Sequence, residues 1–268
     1  MQKNSQLNAD RFLGFADVYD KARPKCPEKV KEIIIKYLGN TPSLVVDMGC
    51  GTGLSTTIWS KESSKIIGIE PSADMLKIAK ENSSGLDNIT FISSFSDNTG
   101  LDNGCADVIT CSQSFHWMNP EATINEVARI LKKGGVFAVY DYDWPPVCNW
   151  EAELEYNKLS EKVKDIESSH PDLKDSFVRW DKNEHLANIT NSGKFRYVRE
   201  IVFSNSENCH AQRLIGLALS RGGLQAILKA NISEVKPYLT DFEKRILDIY
   251  GNTEFKIDFG YRMRMGIK

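Results

Sequence analysis

The chain has 268 residues, 41% apolar and 26% charged, and carries a net charge of −2 with 34 Lys and Arg against 36 Asp and Glu. Its length suits one large α/β domain with insertions, and its charge balance offers no cationic surplus to neutralise a long phosphate backbone. No run approaches the roughly 18 apolar residues of a membrane span, and "MQKNSQLNADRF" lacks the apolar segment of a secretory signal, so the expectation is a cytoplasmic protein with no membrane or nucleic-acid partner.

From residue 28 helical and extended patterns alternate. "EKVKEIIIKYL" spaces Val30, Ile33, Ile34, Tyr37 and Leu38 by three and four, and Gly39 closes this amphipathic helix. "SLVVDMG" reads as a strand buried on both faces, and "LSTTIWS" after it as the start of a helix. "KIIGIE" is a second strand ending at Glu70, followed by the helix "PSADMLKIAKENSSG". "NITFISS" and "ADVITCSQS" are the third and fourth strands. In "NPEATINEVARILKKGG" Asn119 can cap a helix and Pro120 suits its first turn; "VFAVYDY" is the fifth strand. Strands alternating with helices specify parallel βαβ units.

After Asp143, "DWPP" breaks the chain. "EAELEYNKLSEKVKDIESS" places Leu154, Leu159, Val163 and Ile166 on one helical face among many charges, residues 195 to 204 and the closing "FKIDFGYRMRMG" alternate like strands, and 207 to 250 read as helical. The expected organisation is an N-terminal helical segment and core over 1–147, a helical lid over 148–194, a core strand over 195–206, a second lid segment over 207–252 and a final core strand over 253–268. Cys26, Cys50, Cys105, Cys111, Cys148 and Cys209 show no CxxC pair and no metal-ligand spacing, so neither a disulfide framework nor a metal is expected.

The chemistry centres on "LVVDMGCGTG" at 44–53. In an open parallel sheet the first βα turn lies where ligands bind, and Gly49, Gly51 and Gly53 let backbone approach one closely. A dinucleotide fingerprint requires G-x-G-x-x-G, and its last glycine would fall on Leu54. Asp47, just before the turn, would repel a pyrophosphate and suits a cationic cofactor end. Glu70, at the end of the second strand, can accept both hydroxyls of a ribose. An adenosine without pyrophosphate that carries an ammonium or sulfonium points to S-adenosylmethionine.

These residues, D-x-G-x-G-x-G at 47 to 53 with Glu70 and "LKKGGVFAVYDY" at 131 to 142, resemble class I S-adenosylmethionine-dependent methyltransferases from about residue 12 to 145. The resemblance implies a doubly wound, mostly parallel, seven-stranded Rossmann-like sheet with an antiparallel final hairpin. "DVYDKARPKCP" and "QSFHWMNPEATINEVARILKKGG" further resemble the small-molecule branch with trans-aconitate methyltransferase-like proteins. Carried over by position, Tyr19 and Arg23 close over the methionine end of the cofactor, Gly49 and Gly51 line it, and Ser94 to Ser96 meet adenine. Many relatives have an acidic or polar residue where Phe95 stands; Phe95 stacks on adenine or Asp97 takes the polar role.

Gln113 is a candidate to orient either ligand. His116, just beyond the fourth strand, is a candidate substrate contact or general base, and Trp117 and Trp144 are candidate pocket walls or core. Trp150, Trp180, Arg213 and Arg221 in the lid are further candidates for an acceptor pocket or for ordinary packing. The expected activity is in-line methyl transfer to a small metabolite, a carboxylate-bearing one fitting the branch, in a monomer or homodimer. A nucleic-acid or protein methyltransferase and a non-catalytic S-adenosylmethionine or S-adenosylhomocysteine binder are the alternatives.

Overall fold

The computed structural model describes residues 6–9, 14, 16–174 and 176–268; the positions 12, 13 and 15 at the start of the resemblance lie outside the described residues. One sheet runs in the order β3-β2-β1-β4-β5-β7-β6. Its strands are β1 Leu44–Met48, β2 Lys65–Ile69, β3 Ile89–Ile92, β4 Ala106–Ser112, β5 Leu131–Tyr142, β6 Tyr197–Cys209 and β7 Phe255–Ile267. The first five pair in parallel, and β7 runs antiparallel between β5 and β6. This is the expected Rossmann-like sheet with its antiparallel end.

The apolar runs explain the centre of the sheet. Val45, Val46 and Met48 of β1 are wholly buried because helices cover both faces, as parallel sheets require. β1 lies between β2 and β4, so the chain leaves in opposite directions from one point. A crevice opens there beyond the strand ends.

Helices α1 Ala16–Ala22, α2 Glu28–Leu38, α3 Ala73–Asn82 and α4 Pro120–Ile130 accompany the parallel strands. α2 stops at Gly39, whose φ of 83° lets its N–H reach the Ile35 carbonyl. In α4 the Asn119 side chain accepts from the Ala122 N–H, the cap its sequence promised.

Past the cis Trp144–Pro145 peptide come α5 Trp150–Ser169, α6 His185–Asn191, α7 Ala211–Leu219, α8 Gly222–Lys229 and α9 Lys236–Tyr250. Tyr156, Leu159, Leu214 and Phe242 from this helical layer share one core with Val136, Ala138, Tyr140 and Phe259 of the sheet. The layer is therefore built into the core, with Tyr156 and Phe242 in edge contact at 5.9 Å. Val46, Met48, Ile109, Ile124, Val127 and Ile189 form the core of the opposite face. Among the described residues no helix is long and apolar enough to cross a membrane.

Three local expectations shift. After the glycines the chain makes only a 3-10 turn, Thr57–Trp59, because Ser55 and Thr56 turn inward to hydrogen-bond a buried carboxylate instead of extending a helix. The residues "LKKGG" open β5 rather than close α4, with Gly134 at φ 82°. β6 runs on to Cys209, pairing Ser204 through Cys209 with Gly260 through Phe255, so the second helical segment begins at Ala211.

Candidate active site

At the carboxyl end of β1 the chain turns through Gly49, Gly51 and Gly53, with φ of 67°, 55° and 84°, a region that strains residues with a Cβ. Gly49 also lacks room, since a Cβ there would lie 2.6 Å from the Ser114 Cβ. The turn is fixed from below by Asp47, which is 0% exposed. Its Oδ2 accepts from the Ser55 and Thr56 hydroxyls, both at 2.7 Å, and its Oδ1 from the Thr110 hydroxyl at 2.9 Å. Burial raises the Asp47 pKa and these three donors oppose the rise.

Above the turn lies a cavity with about 1200 Å³ of empty space, counting its open mouth. Of the expected site residues, Tyr19, Arg23, Gly49, Gly51, Glu70, Ser94, Phe95, Ser96, Gln113 and Trp117 line it, as does Asp97. Asn8, Met75, Tyr140, Tyr142 and Tyr261 are among the other wall residues. Asp47, Gly53, His116 and Trp144 are not on it. The oxygens of Asp47 are committed to internal hydroxyls, so the residue holds the turn and does not face a cationic ligand. Gly53 packs against Ala79 of α3, where a Cβ would stand 3.4 Å from the alanine Cβ.

Glu70 is 9% exposed. Its Oε2 accepts from the Gly51 N–H at 3.1 Å and its Oε1 from the Ser72 N–H at 2.9 Å. A carboxylate has about four lone-pair sites, so each oxygen keeps capacity for a ligand. Burial pushes the Glu70 pKa up to about 7, against the two backbone donors.

Arg23 crosses from α1 to the helical layer. It donates to the Ser220 hydroxyl and carbonyl, both at 2.9 Å, and to the Tyr142 hydroxyl at 2.7 Å, while its guanidinium lies 4.5 Å from the Tyr19 ring and 5.2 Å from the Trp144 ring. Among the described residues no carboxylate pairs with it. Trp144 stacks on Tyr156 at 5.8 Å and supports Arg23 from behind the wall.

Gln113 is held at φ 52°, unusual for a residue with a side chain, and Lys182 donates to its Oε1 at 2.8 Å. Lys182 is also 2.8 Å from Asp141 Oδ1. His116 is 6% exposed and faces Asp141 and His185; burial first, then Lys182 and Arg179, lower its pKa well below the ordinary value. Its ring is therefore a neutral imidazole set behind Trp117. In the lid, Trp150 is 71% exposed on the surface, Trp180 donates its backbone N–H to the His116 carbonyl, Arg213 pairs with Glu207, and Arg221 lies over the Trp144 and Tyr156 rings.

Lys182, Asp141 and His185 went unnoticed in the sequence. They stand in different elements at no motif spacing, and Lys182 occupies a short turn between helices. Tyr140 and Tyr142 were legible as the carboxyl end of the fifth strand, the usual place for site residues in such sheets.

Residues 46–139 match the family described as a methyltransferase domain. A Dictyostelium discoideum chain named as a methyltransferase is 25% identical over 256 residues, 91% of this chain and 88% of that one. A Saccharomyces cerevisiae chain named as the S-adenosylmethionine-dependent methyltransferase CRG1 is 34% identical over 158 residues, 58% of this chain and 53% of the relative. The Campylobacter jejuni ubiquinone/menaquinone biosynthesis C-methyltransferase UbiE is 28% identical over 162 residues, 53% of this chain and 66% of its own. The fold is shared with a type II methyltransferase structure from Anaeromyxobacter dehalogenans at a TM-score of 0.65 and 16% identity, covering 91% and 97% of the two chains.

Fold and matches together define a class I, Rossmann-like methyltransferase domain. The chain is an S-adenosylmethionine-dependent methyltransferase.

The geometry assigns Asp47 a structural load that can be measured. Asp47→Ala orphans three buried hydroxyls, and urea denaturation should show a loss of about 3 kcal/mol or more. A loss within about 0.5 kcal/mol, the range of an ordinary surface substitution, would contradict the role.

Proposed function

We propose that the cavity takes S-adenosylmethionine with its ribose on Glu70, its methionine end over Gly49 and Gly51 beneath Tyr19 and Arg23, and its adenine among Ser94, Phe95, Ser96 and Asp97, and that it transfers the methyl group to a small metabolite. The observation that carries this reading is Glu70: a buried carboxylate on the cavity wall, oriented by two backbone donors yet with acceptor capacity left over. Ribose hydroxyls are donors that such a group satisfies. Arg23 uses three hydrogen bonds of five possible donors and meets the methionine carboxylate, which supplies the anion missing around it.

Walls of Tyr19, Trp117, Tyr142 and Tyr261 leave a confined apolar space for the acceptor, closed by the helical layer. A small molecule fits that enclosure better than a polymer, and a carboxylate-bearing acceptor follows from the resemblance to the trans-aconitate methyltransferase-like branch. Transfer is an in-line displacement at a carbon activated by sulfonium, and the protein contributes by alignment and exclusion of water, effects that can supply about 7–11 kcal/mol. His116, off the wall and neutral, carries no assigned step.

Two outcomes test the reading. Ionised Glu70 is the form that accepts ribose hydroxyls, so the S-adenosylhomocysteine affinity should fall about tenfold per pH unit below about 7, and Glu70→Gln should flatten that slope. The sign on stability is opposite: because the folded value of about 7 exceeds the ordinary 4.5, the contribution of Glu70 to the cofactor-free fold is lost as pH rises through that window. A pH-independent affinity in the wild type would remove Glu70 from the ribose. For the acceptor, incubation with methyl-labelled cofactor should place label in members of a small carboxylic-acid panel and none in RNA, DNA or protein. Label in polymer alone would overturn the small-molecule reading.

A further inference from the structure

Behind the cavity wall three buried side chains converge. His116 comes from the turn after β4, Asp141 from the last residues of β5, and His185 from the first position of α6. Their ligand-type atoms all lie within 4.8 Å of one another; His116 Nδ1 is 3.7 Å from Asp141 Oδ1, and His185 Nε2 is 3.7 Å from Asp141 Oδ2. Among the described residues this is the only such group.

The cluster is unsatisfied. His185 is 0% exposed, and among the described residues neither of its ring nitrogens has a hydrogen-bond partner, nor has His116 Nδ1. A buried polar atom left so is costly, and native proteins leave few such groups unexplained. Packing fixes the rings: His185 meets the Phe115 edge at 5.0 Å, and His116 sits 4.9 Å from Trp117.

We infer that His116, Asp141 and His185 form a binding site for a divalent transition metal of the zinc or cobalt kind. Two imidazole nitrogens and one carboxylate oxygen suit borderline ions, whereas calcium and magnesium prefer oxygen alone. At ordinary bond lengths a tetrahedral site separates its ligand atoms by about 3.4 Å. The three atoms here lie within 4.8 Å of one another and each histidine faces a different Asp141 oxygen at 3.7 Å, so a turn of the carboxylate and a closure of about an ångström would complete the set. Three protein ligands leave a fourth position open. Arg264, whose Nε donates to Glu200 at 2.8 Å while its Nη1 reaches Asp141 Oδ2 at 3.4 Å, is placed to orient the carboxylate from outside the ligand set, as outer partners do in metal sites.

Lys182 is the competing cation. Its ammonium stands 2.8 Å from Asp141 Oδ1 and neutralises it, but its side chain is 32% exposed, so it can leave for solvent when a metal enters. It also reaches Gln113 on the cavity wall, and Tyr140 and Tyr142 on either side of Asp141 line the same cavity. Exchange of lysine for metal would therefore be felt at the acceptor end. The absence of a metal expected from the sequence rested on ligand spacing, and this site has none to show.

The test needs neither cofactor nor acceptor, so its failure leaves the methyltransferase reading standing. The full chain, stripped with chelator, is titrated with Co²⁺ and followed by visible absorption, and bound Zn²⁺ is counted by elemental analysis after dialysis. The wild type should bind one equivalent and show the intense ligand-field bands of four-coordinate cobalt. His185→Ala should lose the bands, and His116→Gln serves if that variant misfolds by circular dichroism. Lys182→Met, which removes the competing charge, should bind about tenfold more tightly. Bands that persist in a folded ligand variant would place the metal elsewhere and overturn the site. So would the absence of stoichiometric metal from both the wild type and Lys182→Met, which would identify the cluster as a polar network around trapped water.

Discussion

One buried carboxylate holds the architecture of the site. Asp47 stands next to the end of the central strand where no water can solvate it, and a charge in that position is tolerable only with donors aimed at it. Ser55 and Thr56 supply two from the far side of the glycine turn and Thr110 a third from the neighbouring β4. The turn is thereby cinched onto the strand, and the backbone N–H of Gly51 is presented to Glu70. Removing side chains at 49, 51 and 53 makes the path possible; Asp47 makes it the only path.

The rest of the molecule follows from where that turn lies. β1 sits at the point where connections diverge, so the cavity opens beyond its carboxyl end, and the helical layer that roofs it shares a core with β5 and β7. Arg23 links the N-terminal helix to that layer through Ser220 and to the sheet through Tyr142. Cavity wall, roof and strand ends are thus mechanically joined, and an anion arriving at Arg23 would act on all three.

The periodicities that could be read along the chain were those whose cause is local or immediate. Apolar runs announced β1 and β2, Asn119 and Pro120 announced α4, and the pairing of a glycine turn with an acid at Glu70 announced where the cavity lies. Signals failed where a distant partner decided the structure. Thr56 would extend a helix if Asp47 did not claim its hydroxyl, and Ser204 to Cys209 continue as strand because β7 lies beside them. The acid before the turn was read as facing a cation, although its oxygens face hydroxyls that only the fold brings near. His116 was noticed for its place after β4, but its neighbours Asp141, Lys182 and His185 meet it only in three dimensions.

The central claim is that the glycine turn and Glu70 together admit S-adenosylmethionine. Calorimetric titration of the wild type and of Glu70→Ala with S-adenosylmethionine tests it most directly. The account predicts one-to-one binding by the wild type and a collapse of affinity in a variant that remains folded. Equal affinity in the two proteins, or no binding by folded wild type, would contradict it.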